Sequence, residues 1–338
     1  MQDPFGHRIS YLRVSVTDRC NERCRYCMPE EDQEWLSRDD TLSFEEMLRV
    51  IRVGSGLGIR KVRVTGGEPL TRPGVLEFFD ALGEMKNAGQ LNDLGTSTNG
   101  TLLANKPRDG KGATTARRLV DAGVRTANIS LDTLDRNAYK LATGRDFFVR
   151  VMEGIDAAVE AEFESIKINC VLMRGRNEQD LPEIVEFAKR KGLLLRFIEL
   201  MPVTTSEVLT EDNFFSAGAA KKALEATYGK LVPKPDFKTN GPASYYEVPG
   251  TGQMLGFIGA MTNFHFCESC NKLRLTCDGK LRPCLGSHME FDMLKVIRAG
   301  ATDEDLAKFF LDVVEKKPKE HDFRNNYQPG RRMVAIGG

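Results

Sequence analysis

"YLRVSVTDRCNERCRYC", residues 11–27, reads as one strand running into one loop. Side chains alternate along an extended chain, so Leu12, Val14 and Val16 share one face and Arg13, Ser15 and Thr17 the other. The loop then gathers Cys20, Cys24 and Cys27. Similar runs recur at "KVRVTGG" (61–67), "LGTSTNG" (94–100), "RTANISLD" (125–132), "SIKINCVLM" (165–173) and "LLLRFIEL" (193–200). Helical patterns lie between them. In "LSFEEMLRVIRVG" (42–54), Ser43 and Glu46 stand at capping-box spacing, and Phe44, Met47, Leu48 and Ile51 share a face. "DLPEIVEFAKRKG" (180–192) repeats this, with Asp180 and Glu183 as the box, Pro182 in the first turn and Gly192 as the stop. Six strands alternating with helices predict an α/β fold with a parallel sheet, either a partial (β/α) barrel or an open doubly wound sheet. The rhythm ends near Met201, and a stretch rich in Pro, Gly, Thr and Lys follows. This predicts a barrel domain over 1–202 and a smaller C-terminal region over 203–338.

Parity carries a chemical clue. Arg63 and Thr65 oppose Val62 and Val64, and Lys167 and Asn169 oppose Ile166, Ile168 and Cys170. Parallel strands are normally covered on both faces, so mid-strand charges lack easy access to water. If the polar faces turn into a barrel, Arg13, Arg63 and Lys167 converge on one cavity, an arrangement that a polyanion such as a triphosphate would offset. On half-exposed edge strands the same residues would simply be solvated. The chain as a whole has no bias: Lys+Arg and Asp+Glu both number 48, so no net field draws nucleic acid or membrane. Neither a bilayer-length apolar run nor a signal-peptide core is visible. The expectation is a cytoplasmic protein with no nucleic-acid or membrane partner.

Seven of the eight cysteines form two clusters, residues 20–27 and 267–284, a pattern that points to metal rather than disulfides. Cys170 stands alone and reads as a small buried hydrophobe. A structural zinc takes four ligands. The first cluster offers three, with His7 a weak fourth. Three thiolates on a four-iron cluster leave one iron open. The second cluster, Cys267, Cys270, Cys277 and Cys284, fits a four-cysteine zinc site when read by itself.

The spacing C-x3-C-x2-C, with Tyr26 before the last Cys, resembles the motif of the radical S-adenosylmethionine (SAM) enzymes. "TGGEPL" (65–70) resembles their glycine-rich segment. That resemblance implies SAM contacts from Tyr26, Gly67, Ser130 in "NISLD" and Met201 in "IELMP". Read alone, the last three are a turn, a core hydroxyl and a core methionine.

The chain is also similar, nearly end to end, to the GTP 3′,8-cyclase family of molybdenum-cofactor biosynthesis. The matching blocks are "RVSVTDRCNERCRYCMP", "KVRVTGGEPL", "NISLDTL", "FIELMPV", "CNKLRLTCDGKLRPCL" and the final "IGG". This resemblance implies a partial (β/α)6 TIM-like barrel whose C-terminal region carries a second iron–sulfur cluster. It implies [4Fe–4S] clusters on Cys20, Cys24 and Cys27 and on Cys267, Cys270 and Cys284, leaving Cys277 without a role. GTP contacts are implied for Arg13, Arg63, Ser97, Lys167, Lys272 and Arg274. Lys272 stands where the family has Arg, losing a bidentate fork, and Ser97 where it has Thr. The tail Gly337–Gly338 would reach the active site.

The implied reaction removes the ribose 3′-hydrogen of GTP and joins C3′ to C8 of guanine. The product is (8S)-3′,8-cyclo-7,8-dihydroguanosine 5′-triphosphate. A reductant protein and a homodimer are implied as well, and no general acid is identified. Two other readings remain: a peptide-modifying radical SAM enzyme with an auxiliary cluster, and a non-catalytic zinc-binding protein. The segment 102–118 is longer and more basic than the family connector. Its "GKGATT" lacks the phosphate-loop pattern and reads as a solvated loop.

Overall fold

The computed structural model describes residues 1–28, 35–203, 209–239, 241–325 and 327–337. The alternating runs become β1 (Tyr11–Ser15), β2 (Lys61–Thr65), β3 (Asp93–Thr98), β4 (Thr126–Ser130), β5 (Ser165–Leu172) and β6 (Leu194–Glu199). Beyond them come β7 (Val232–Pro233), β8 (Ser244–Glu247), β9 (Met254–Ile258), β10 (Lys272–Leu275), β11 (Lys280–Arg282) and β12 (Phe291–Asp292). The first six helices are α1 (Phe44–Gly56), α2 (Val75–Asn87), α3 (Thr115–Asp121), α4 (Arg136–Thr143), α5 (Phe148–Glu160) and α6 (Leu181–Arg190). The last four are α7 (Ala217–Tyr228), α8 (Met293–Arg298), α9 (Asp303–Glu315) and α10 (Met333–Ile336).

Strands β1 to β6 lie side by side in chain order, each parallel to the next. A doubly wound sheet reverses its order at a switch point. Here the order never reverses, so the winding is that of a barrel. The sheet ends on β12 and β7 instead of closing, which makes the barrel partial.

The rhythm does not stop at Met201. β9 adds parallel to β6, and β10 adds parallel to β1. Residues beyond 202 therefore extend both edges of one twelve-stranded sheet. The signal was hidden because β9 follows the turn-rich "VPGTGQ", and because Gly218 interrupts and Gly229 ends the helical pattern of α7.

The apolar faces do as parity requires. Leu12, Val14, Val62, Val64, Leu94, Ile129 and Ile168 are fully buried, with Met47, Ile51 and Phe79 from the covering helices. Each such side chain contributes roughly 1.5–3 kcal/mol by leaving water.

The capping box of α1 is complete: Glu46 N–H donates to Ser43 Oγ (3.1 Å) and Ser43 N–H to Glu46 Oε2 (2.7 Å). The box expected at Asp180 is absent. Asp180 already has helical dihedrals (φ −90°, ψ −4°), so its carboxylate does not cap the helix. It accepts instead from Thr133 Oγ1 (3.1 Å). The basic segment 102–118 is also not loop throughout. Thr114 caps α3, and Arg118 is buried between Asp109 (2.6 Å) and Asp80 (3.1 Å).

Candidate active site

The inner face of the sheet encloses a cavity of about 390 Å³. All the residues implied above for the two clusters, for SAM and for GTP line it, whereas His7, Cys277 and the tail glycine Gly337 do not.

Its floor is cationic for a reason of register. Arg274, Arg13 and Arg63 are direct neighbours across β10, β1 and β2. The next position in that row is Gly95 on β3. A Cβ there would stand 2.8 Å from Arg63 Nη2, so glycine lets the guanidinium lie across β3. Arg63 donates to Tyr11 Oη (2.7 Å), Thr96 O (2.6 Å) and Thr126 Oγ1 (2.8 Å). The device recurs at Arg196, whose register neighbour on β9 is Gly256.

Arg196 and Lys61 also line the cavity, and sequence reasoning missed both. Lys61 shares the parity of Arg63 but opens its strand; Arg196 sits in an otherwise apolar run. Lys61 pairs with Asp93. Lys167, Arg196 and Arg274 bond to neutral groups: Ser165 Oγ (3.0 Å), Asn169 Oδ1 (2.9 and 2.5 Å) and Gly337 O (2.6 Å).

Charge crowding shows in the acidities. Burial, reinforced by Arg196 and Arg63, brings Lys167 down to about 8. Burial and Arg13 bring Arg274 down to about 9, and burial brings Arg196 to about 10. Burial alone would raise Tyr11; Arg63, Arg13 and Lys61 outweigh it and pull the phenol down to about 7. The floor is short of negative charge, and a polyanion is the ligand that supplies it.

The first cysteine loop leaves the C-terminal end of β1, the end at which barrel enzymes build active sites. Cys24 O accepts from Cys27 N–H (2.9 Å) and Met28 N–H (2.7 Å). Burial pushes Cys27 up to about 12 and raises Cys20 and Cys24 as well. In the second set, burial lifts Cys284 to about 11, whereas Lys317 and Lys272 outweigh burial at Cys270 and hold it below the usual thiol range.

Most of these thiols stay protonated without a cationic centre, and sulfur donors of this kind suit iron–sulfur chemistry. Among the described residues, no three Cys, His, Asp or Glu side chains converge as a single metal ion requires. A [4Fe–4S] cluster distributes its thiolates over separate irons and does not need that convergence. The donor sets fit such clusters.

Cys277 is fully buried and absent from the cavity lining, and its carbonyl accepts from Leu42 N–H (2.8 Å). His7 bonds to Asp3 (2.8 Å) and also lies off the cavity, so the weak fourth-ligand reading fails. Cys277→Ala is expected to leave iron and acid-labile sulfide per chain unchanged, at a stability cost of about 1 kcal/mol. Iron loss in that variant would return Cys277 to the ligand set.

Around the first loop, the Tyr26 hydroxyl bonds to Asp132, a carboxyl that burial raises to about 6. Ser130 is exposed to the cavity, not a core hydroxyl. Met201 lines the cavity and packs on the satellite apolar cluster of Val203, Ala260, Phe323 and Tyr327. At Gly67 a Cβ would stand 2.3 Å from Arg19 O and 2.9 Å from Val334 Cγ2. That glycine therefore lets the cysteine loop and the C-terminal tail approach each other. Gly337 lies where a Cβ would meet Ser15 Cβ at 2.7 Å; Gly338 is outside the described residues.

The Radical SAM superfamily pattern matches residues 14–188, and the Molybdenum Cofactor Synthesis C pattern matches residues 193–323. Among curated proteins, the GTP 3′,8-cyclase of Thermodesulfovibrio yellowstonii is 40% identical over 339 residues, covering 100% of both chains. That of Moorella thermoacetica is 40% identical over 338 residues with the same coverage. Streptococcus suis SuiB bound to S-adenosylmethionine superposes with a TM-score of 0.60 at 16% identity, covering 98% of this chain and 78% of that one. Native anSMEcpe with bound AdoMet gives 0.61 at 16% identity, covering 93% and 82%. These two structures share the fold.

Proposed function

Because the chain belongs to the GTP 3′,8-cyclase family of radical SAM enzymes, we propose that this cavity holds GTP between two iron–sulfur clusters. The reaction is the radical SAM cyclisation of GTP to (8S)-3′,8-cyclo-7,8-dihydroguanosine 5′-triphosphate, an early step of molybdenum cofactor biosynthesis. Its cofactors are S-adenosylmethionine and two [4Fe–4S] clusters. When bound, the first cluster and S-adenosylmethionine supply one-electron cleavage of the sulfonium and, through it, hydrogen-atom abstraction.

The protein's own residues do the placing. Cys20, Cys24 and Cys27 hold the first cluster, and Cys267, Cys270 and Cys284 the second. Tyr26, Gly67, Ser130 and Met201 line the side that takes S-adenosylmethionine. Arg13, Ser97, Lys167, Lys272 and Arg274 hold GTP, with Lys61 and Arg196 beside them. Arg63 already has three nitrogens bonded within the protein, so it contributes charge more than contact. Holding the reactants in one enclosed space converts a difficult encounter into an intramolecular step. The division at 1–202 and 203–338 then separates the radical-generating part from the part that presents the substrate base.

The observation that carries this reading is the joint lining of one cavity by both cysteine sets and by cations from β1, β2, β5, β6 and β10. No helix among the described residues is long and apolar enough to cross a membrane. The protein works in the cytoplasm as a homodimer and takes electrons from a separate reductant protein. The cationic floor favours a nucleotide over the peptide substrate of the alternative reading.

The deciding experiment is an anaerobic single turnover with S-adenosylmethionine, dithionite and GTP deuterated at C3′. Deuterium is expected in 5′-deoxyadenosine. Unlabelled 5′-deoxyadenosine would reject GTP as the hydrogen donor, and none from fully loaded protein would reject the radical reading.

A further inference from the structure

Lys317 follows α9, directly before Pro318, and is 4% exposed. Its ammonium donates to Lys272 O (3.2 Å) and to Pro283 O, and it bonds to the Cys270 thiol. The two carbonyls flank ligands from different segments: Lys272 lies two residues after Cys270, and Pro283 immediately precedes Cys284. One side chain thus ties together the two segments that carry these cysteines. Its partners are two carbonyls and a thiol, none of them a carboxylate. A buried ammonium that meets only neutral groups is costly. Three thiolates on a bound cluster supply the missing negative charge.

The neighbouring cations do not take this place. Arg324 is committed to Met261 O (3.1 Å) and Asn263 O (2.6 Å). Lys272 turns its ammonium to Asn271 Oδ1 (3.1 Å) and the Tyr11 ring (5.5 Å). The base of Lys317 is rigid, because α9 buries Leu306, Phe310, Val313 and Val314 and Pro318 cannot continue the helix.

We propose that Lys317 is the fixed counter-cation of the second iron–sulfur cluster, a positioning residue that ties its ligand segments together and biases it toward the reduced form. This rests on the reading that Cys267, Cys270 and Cys284 hold a [4Fe–4S] cluster. Reduction adds one electron from the external reductant and makes or breaks no bond. A fixed positive charge and a hydrogen bond to a ligand sulfur both favour the more negative, reduced state.

The test uses the full-length chain carrying Cys20→Ala, Cys24→Ala and Cys27→Ala, so that only the second cluster contributes. Iron and sulfide are counted, and the cluster is titrated with dithionite under EPR. If that parent binds no iron, the ligand reading itself fails, independently of Lys317. If it binds a cluster, Lys317→Met is expected to lower the reduced-to-oxidised ratio at fixed potential about tenfold, a shift of about 59 mV for one electron. Lys317→Arg keeps the charge and is expected to stay near the parent. Loss of the cluster in Lys317→Met with retention in Lys317→Arg supports the same assignment. An unchanged potential in Lys317→Met, or loss of the cluster in both variants, overturns it.

Discussion

Gly67→Ala is expected to slow 5′-deoxyadenosine formation by roughly 100-fold or more while leaving the chain folded. Gly67 does not adopt a positive φ, so alanine fits its backbone and the whole effect is steric. The new methyl would stand 2.3 Å from Arg19 O and 2.6 Å from Arg19 C, against an ordinary carbon contact of about 3.5 Å. Something must therefore move by roughly 1 Å, and Arg19 directly precedes Cys20. The sheet beneath has no cause to move, because its packing face is the opposite one. Misplacement of that size typically costs two orders of magnitude in a reaction that depends on near-contact geometry. Gly56→Ala is the control, since nothing lies within 4 Å of its Cβ and its φ is not positive. Thermal unfolding and 5′-deoxyadenosine yield should separate the two: Gly67→Ala keeps its Tm to within a few degrees and loses the product. Full product formation by Gly67→Ala would mean that the cysteine loop yields freely and that its position is set elsewhere.

The strands and the charged floor were legible because both rest on a period of two. Arg13, Arg63 and Lys167 could be singled out from parity alone, since a charge in the middle of a covered strand has few physical excuses. Tyr11 and Lys61 carried the same signal, on the same face as Arg13 and Arg63, but they open their strands and look like solvated ends. Arg196 was missed because it sits among Leu194, Leu195, Phe197 and Ile198, where an apolar run masks parity. What no reading of one segment contains is register. That Arg274 neighbours Arg13, or that Gly95 makes room for Arg63, depends on which strands meet and at what offset. The same limit applies to Lys317, which follows a surface helix in the sequence and becomes a second-cluster residue only when β10 and β11 come together. Asp180 failed for a different reason: a capping-box spacing constrains sequence, whereas the cap itself requires an extended residue that the chain there does not adopt.

Lys167→Met is expected to weaken GTP binding by roughly 10- to 150-fold at pH 7, the 1.5–3 kcal/mol of a hydrogen bond to a charged group. The pH dependence distinguishes this from a packing defect. In the free cavity Lys167 titrates near 8, depressed by burial and then by Arg196 and Arg63. A bound triphosphate favours the ammonium and moves the value back up. Below pH 8 the lysine is already charged and itself takes up no proton on binding. Above pH 8 it is neutral in the free protein, so binding must draw a proton from solution, and affinity falls by up to about tenfold per pH unit. Tyr11 acts in the same direction from lower pH. Near 7 it becomes phenolate in the free protein, and its negative charge opposes the phosphates until it is protonated again. The terminal phosphate of GTP is almost fully ionised above pH 7, so the ligand contributes little to the slope. Wild-type affinity is therefore expected to begin falling near pH 7 and to steepen past pH 8. Tyr11→Phe removes the first part, and Lys167→Met removes the second up to about pH 9, where Arg274 also titrates. Anaerobic calorimetry of GTP binding from pH 6.5 to 9.5, in buffers of different ionisation enthalpy, reads both affinity and proton uptake. Constant affinity without proton uptake would mean that the floor keeps its charge at every pH, and that the crowding of Arg13, Arg63, Lys167, Arg196 and Arg274 is relieved by something other than the nucleotide.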